Sequence, residues 1–249
     1  MKLKILTLFP EIIQGFFQSS IMAKAVERGI IDYQVINFRE YAADKHRTAD
    51  SYPYGGGAGM VLKCEPIAAA LDAISSSDQS AARRIVYPSP SGTQFTQAKA
   101  LELSQMDELV FICGRYEGLD QRIIEEYVDD EISVGDYVLS SGEIGSLVII
   151  DAVYRLLDGV INSESLLEES HEDGVLEYPH YTRPEEFRGR TVPPVLLSGH
   201  HEKIRKWRRK QGLKKTLRNR PDLLENRKLS KEDEKLLSEI EQEDDHGSD

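Results

Sequence analysis

ELVFICGRYEGLD, residues Glu108 to Asp120, decides how the rest of the chain is read. A short apolar run ends at Cys113, and Gly114 and Gly118 then punctuate a loop that carries an arginine, a tyrosine and a carboxylate. That is a strand followed by a loop with an exposed backbone. Two further stretches share the form: RRIVYP runs into YPSPSG (Tyr87–Gly92), and VDDEISV into VGDYVLSSGE (Val134–Glu143). Upstream, KLKILTLF and IDYQVINF are strand candidates. A periodic segment from Glu11 to Arg28, closed by Gly29, reads as a helix. Pro66 opens an Ala-rich helix, and further helical patterns span Phe95–Gln105 and Ile144–Leu157. The alternation predicts an α/β domain with a mostly parallel sheet over the first 160 residues.

In open α/β sheets, ligands bind beyond the carboxyl ends of the strands, where these three loops would converge. Their small residues expose main-chain N–H and C=O groups, and two of them carry an aromatic ring, which suits a flat adenine. A fourth loop, YGGGAGM (Tyr54–Met60), follows His46, Arg47 and Asp50. It lacks the Gly-Lys-Ser/Thr of a P-loop and the spacing of a dinucleotide fingerprint. A flexible glycine turn and a nucleotide or RNA contact are both open readings. Arg155 ends the helix begun at Ile144, on the side expected to face the loops. It reads either as a cation against the helix dipole or as a guanidinium that meets charge developing on a substrate.

The charge is unevenly placed. The net value of −12 hides a block of ten Lys or Arg with one acid between His201 and Arg220. Nine acids with two lysines follow from Lys231 to Asp249. A basic helix carrying Trp207 within an acidic protein points to a polyanion partner, with Ile204, Trp207 and Gln211 as a candidate buried stripe. Ser230 is placed to cap the acidic helix, with Asp233 reaching back. Cys64 and Cys113 have no metal-ligand spacing, and no apolar stretch reaches the length of a membrane helix. With no secretory signal at the N-terminus, the expected setting is cytoplasmic.

Between the halves lies EESHEDG, Glu168 to Gly174, with four carboxylates and a histidine. By composition it is a solvated loop. Its place in the order of motifs says more. LFPE, DKHRT, YGGGAGM, CGRYEG, GDYVLSSGE, YPHYTRP and PPVLLSG, continuing into IRKWR and RPDLLEN, together resemble the bacterial tRNA (guanine-N1)-methyltransferases across nearly the whole chain. These enzymes modify the guanine at tRNA position 37, just 3′ of the anticodon.

The resemblance implies a SPOUT-type α/β fold with a deep trefoil knot over residues 1–160, a linker over 161–175, and a small helical tRNA-binding domain over 176–249. It implies a homodimer with the active site at the subunit interface, and S-adenosylmethionine as methyl donor. Carried over, the donor is held by Tyr87, Pro88, Ser89 and Pro90; by Gly114, Arg115, Tyr116 and Glu117; and by Val134, Gly135, Asp136, Tyr137, Val138, Leu139 and Gly142. Arg155 matches the arginine that steadies charge on guanine O6. The family's general base is an aspartate in the pattern Glu-Asp-Ser; here the pattern reads Glu168-Glu169-Ser170, so the base is Glu169, with Glu172 and Asp173 as substitutes nearby. Ser141 and His200 also stand where the family usually has Gly and Asn. A Mg2+ requirement stays open, with no site assigned. A SPOUT enzyme for another RNA guanine and a tRNA-binding protein of weak activity are the alternative readings.

Overall fold

The computed structural model describes residues 1–77, 82–161, 174–225 and 228–246. The chain divides into two compact units, Met1–Asn162 and Ser163–Asp249.

The first unit is built on strands β1 (Lys2–Thr7), β2 (Asp32–Asn37), β5 (Arg83–Gln94), β6 (Glu108–Ile112) and β7 (Asp130–Ser133). They pair in the order β2-β1-β6-β5-β7, every pair parallel. β6, central in the sheet, is buried at all five positions, as a parallel strand covered on both faces must be. Its side chains alternate between two cores. Leu109 and Phe111 face α1 (Pro10–Phe17), α2 (Ser20–Glu27), α4 (Gln97–Ser104) and α6 (Gly142–Tyr154). Val110 and Ile112 face α3 (Cys64–Ser77) and α5 (Gln121–Tyr127). Glu108 at the start of β6 is fully buried and is held between Lys4 (2.8 Å) and Arg83 on the neighbouring strands. A two-stranded antiparallel pair, β3 (Asp50–Ser51) and β4 (Val61–Leu62), flanks the glycine loop.

The segment expected as one helix from Glu11 to Arg28 is two. Ser19 is extended (φ −120°, ψ 145°), its hydroxyl donates to the Gly15 carbonyl at 2.8 Å, and Ser20 takes a positive φ. The side chain competes locally with the helical ladder, and the chain turns there.

In the second unit, β8 (Glu186–Phe187) and β9 (Arg190–Thr191) form a hairpin around Arg188 and Gly189, both at positive φ. That is the backbone geometry of a two-residue primed turn. Helices α7 (Pro194–Leu197), α8 (His201–Asn219), α9 (Asp222–Glu225) and α10 (Lys231–His246) follow. The small core is Val175, Leu213, Leu236 and Ile240. The buried positions of α8 are Gly212, Leu213 and Thr216, not the stripe of Ile204, Trp207 and Gln211 that the sequence suggested.

Ion pairing explains the difference. Arg209 grips Asp233 through Nε (2.7 Å) and a terminal nitrogen (3.0 Å), Arg205 meets Glu232, and Lys210 meets Glu239 and Glu243. The acidic helix therefore lies along the face of α8 that Arg205, Arg209 and Leu213 define. The expected cap forms: the Asp233 amide donates to Ser230 Oγ at 3.1 Å and the Ser230 amide to Asp233 Oδ2 at 3.4 Å. No helix among the described residues is long and apolar enough to cross a membrane.

Candidate active site

Three loops at the carboxyl edge of the sheet enclose a cleft of about 320 Å³, within the size range of small-molecule sites. The first is an excursion within β5: Pro88 and Thr93 both pair with Ile132 of β7, so the residues between them bulge from the ladder. The second follows β6. The Gly118 carbonyl accepts from the Leu62 amide and the Met60 carbonyl from the Glu117 amide, which docks the glycine loop against Glu117–Asp120. The third runs from β7 to α6, where Gly135 turns at φ 149° and the Tyr137 hydroxyl donates to the Val134 carbonyl at 3.0 Å.

The loops are brought together by backbone approach. The Gly142 amide donates to the Gly114 carbonyl at 2.8 Å, and a Cβ on Gly142 would collide with the Gly114 nitrogen and stand 3.0 Å from Cys113 Cα. Only glycine permits that closeness. The Tyr87 ring lies over the second loop, so that a Cβ on Gly114 or Gly118 would come within 2.9 Å of it. Burial raises the Tyr87 phenol above its ordinary pKa, keeping it neutral. Ser141, by contrast, sits in extended backbone (φ −162°) that any residue adopts, so a side chain is accommodated there.

The carried-over donor residues line this cleft, all but Asp136. Val138 and Tyr137 are exposed at its rim. The remaining lining includes Ser91, Gly118 and Ser140, which belong to the three loops read as ligand loops, and Gly145 of α6, which sequence reasoning did not name.

A buried polar cluster beside the cleft was also missed. Glu143, in the first turn of α6, is 0% exposed; Thr7 Oγ1 donates to its Oε1 at 2.6 Å, and Arg115 Nε lies 3.3 Å from its Oε2. The Arg115 guanidinium stacks on the Phe9 ring, 4.2 Å from its centroid. The Cys113 thiol, 3.4 Å from Ser146 Oγ, is pushed well above its ordinary pKa, first by burial and then by the Glu143 charge. An acidic residue directly after a helix-opening Ser-Gly was the available signal, since a helix N-terminus favours a carboxylate.

Arg155 is placed otherwise than expected. Helix α6 begins at the cleft and runs back along the sheet, so its C-cap, Arg155, is about 20 Å from Gly142 at 1.5 Å per residue. The following turn touches the opposite edge: Gly159 approaches Ile30, just ahead of β2, and its carbonyl accepts from Arg28. A helix after a parallel strand must end at the amino edge of the sheet, so the expectation that Arg155 faces the loops of its own chain fails for a topological reason. Glu169, Glu172 and Asp173 lie outside the described residues. Among the described residues, no cluster of His, Cys, Asp or Glu could hold a metal ion.

The family model described as "tRNA (Guanine-1)-methyltransferase TrmD" matches residues 1–226. Proteins named tRNA (guanine-N(1)-)-methyltransferase are similar over most of the chain. That of Treponema denticola is 58% identical over 98% of this chain and 100% of its own length. That of Borrelia turicatae is 61% identical over 90% of this chain and 92% of its own, and that of Halalkalibacterium halodurans 52% over 96% and 98%.

Proposed function

The chain belongs to the tRNA (guanine-1)-methyltransferase family, and from that premise we propose that it methylates N1 of the guanine at tRNA position 37 with Glu169 as general base. It is an S-adenosylmethionine-dependent tRNA (guanine-N1)-methyltransferase. The observation that carries the reading is the cleft closed by Gly114 and Gly142, with main-chain groups and the Tyr87 ring along its walls. Its glycine-lined, partly apolar shape fits an adenosine, which Tyr87–Pro90, Gly114–Glu117, Val134, Gly135, Tyr137–Leu139 and Gly142 would hold.

The bound donor supplies an electrophilic methyl on a sulfonium. The protein's part is to make guanine N1 nucleophilic. Glu169 takes the N1 proton, and a guanidinium steadies the charge that grows on O6. Arg155 is the arginine for that role, yet one copy cannot bring it to its own cleft. A second copy can, and we take the functional unit to be a homodimer whose partner supplies Arg155. Ile144 and Val148, exposed and one helical turn apart on the face of α6 leading toward Arg155, fit such an interface.

The segment 161–175 is then the linker that brings Glu169 to the substrate, and residues 176–249 hold the tRNA. A SPOUT-type trefoil knot in residues 1–160 and a cytoplasmic setting belong to the same reading. With Arg205, Arg209 and Lys210 engaged by α10, phosphate contacts fall to exposed cations such as Lys203, Lys206, Arg188 and Arg190.

The test is transfer of labelled methyl from S-adenosylmethionine to tRNA carrying G or A at position 37. Wild type should modify the G form alone. Glu169→Gln should keep donor affinity and lose at least about a hundredfold in transfer rate. Near-normal turnover by that variant would end the assignment of Glu169 and move it to Glu172 or Asp173. Tight tRNA binding without transfer by wild type would favour a binding protein.

A further inference from the structure

The cluster beneath the cleft has a role that the methyl transfer itself does not assign. A carboxylate with no exposure is costly to bury unless it is paired, and Glu143 is paired on one oxygen by Thr7. Its other oxygen, Oε2, has no hydrogen bond, and neither does the buried Arg115 Nε, although the two atoms are 3.3 Å apart. The pair is close enough to attract but is not aligned to bond. Arg115 lines the cleft with its guanidinium over the Phe9 ring, and its terminal nitrogens make no hydrogen bond among the described residues. An arginine that a buried carboxylate attracts through Nε, with a ring against its guanidinium, still has its terminal N–H groups to offer, and that fork matches a carboxylate. The Glu143 charge also offsets that of Arg115, so the cleft can admit a sulfonium cation without net repulsion.

We propose that Arg115 reads the carboxylate at the amino-acid end of the methyl donor, and that Glu143 and Thr7 are positioning residues that hold Arg115 in the orientation to do so. The inference rests on the donor being S-adenosylmethionine, as in the reading above. It adds the way the cleft distinguishes the whole donor from its nucleoside part.

S-Adenosylmethionine and its decarboxylated form differ only in the carboxylate, so the ratio of their affinities isolates the contact. Calorimetric titration of each into the tRNA-free protein should show wild type favouring the carboxylate form. Arg115→Met should lower that ratio by about 10- to 100-fold, as expected for charge-assisted hydrogen bonds, with affinity for the decarboxylated form nearly kept. Thr7→Val should lower the ratio several-fold and Thr7→Ser should restore it, which a purely structural role for Thr7 would not require. Glu143→Gln, if it folds, should act as Thr7→Val does.

An equal loss of both ligands in Arg115→Met would make Arg115 a wall of the cleft and overturn the proposal. So would an unchanged ratio accompanied by weaker tRNA binding, which would place an RNA phosphate on Arg115. Failure of wild type to bind either compound would instead refute the assignment of the donor, which keeps the two failures distinct.

Discussion

Replacing Gly142 by alanine tests the idea that the cleft is held by a backbone-to-backbone contact. The new Cβ would overlap the Gly114 nitrogen and lie 3.0 Å from both Cys113 Cα and the Cys113 carbonyl carbon. Comfortable carbon–carbon separation is about 3.5–4.0 Å, so the first turn of α6 must retreat by roughly 0.5–1 Å. Backbone on both sides leaves no flexible side chain to give way. The retreat stretches the 2.8 Å bond from the Gly142 amide to the Gly114 carbonyl, worth about 0.5–1.5 kcal/mol, and overpacking adds about 1–3 kcal/mol. The higher helix propensity of alanine returns up to about 1 kcal/mol, leaving a net loss of about 0.5–4.5 kcal/mol. For a unit of this size that is a fall in Tm of about 1–18 °C.

The displaced elements are walls of the cleft, so donor affinity should fall by about 5- to 100-fold in the same variant. Thermal melting and calorimetric titration with S-adenosylmethionine measure the two effects. Gly145→Ala, whose Cβ would meet only the Pro88 side chain at 3.0 Å, should do less, and Ser141→Ala, in extended backbone with no cap bond, less again. Gly142→Ala with wild-type melting and wild-type affinity would refute the reasoning, and so would a reversed order among the three.

Two further outcomes follow from buried ionisable groups. Arg209 holds the Asp233 carboxyl below its ordinary range, and Asp233 is 3% exposed, so Arg209→Met should destabilise the second unit by about 2–3 kcal/mol at neutral pH. Because the folded pKa is depressed, this contribution is complete above the ordinary aspartate value of about 3.9 and is lost as pH falls through the folded value. Denaturation curves of the variant and wild type should therefore converge in acid; a gap that stays constant down to pH 2 would show that the pair is not its source. Burial raises the Cys113 thiol, whereas Cys64 is part-exposed with its sulfur 3.5 Å from an Arg122 nitrogen. Iodoacetamide at pH 8 should label native protein at Cys64 while Cys113 reacts only after unfolding; mass spectrometry showing comparable rates would contradict the burial of Cys113.

Much was legible without coordinates. Short apolar runs alternating with helical patterns pointed to the parallel strands, because strands covered on both faces are mostly apolar and are joined by helices. The loops after β5, β6 and β7 could be named as ligand loops because topology puts the carboxyl ends of parallel strands on one edge. Their motifs, taken in order, pointed to the family. The Ser230–Asp233 cap was equally readable, since both partners lie within one turn.

What tertiary structure decided was everything that depends on separation in space. Periodicity placed Arg155 at a helix end but could not say which edge of the sheet that end meets. Composition made α8 a basic helix suited to a polyanion partner, but only packing against α10 shows Arg205, Arg209 and Lys210 already engaged by carboxylates 27, 24 and 29 to 33 positions away. Glu143 closes the third loop in sequence, and only the fold shows that Thr7, 136 residues distant, bonds to it. Local rules act through neighbours in sequence, whereas burial and charge pairing are fixed by whichever residues the fold brings within a few ångströms. The sequence therefore determined the elements and the family, and the tertiary structure determined which charges are spent inside the protein and which remain for its substrates.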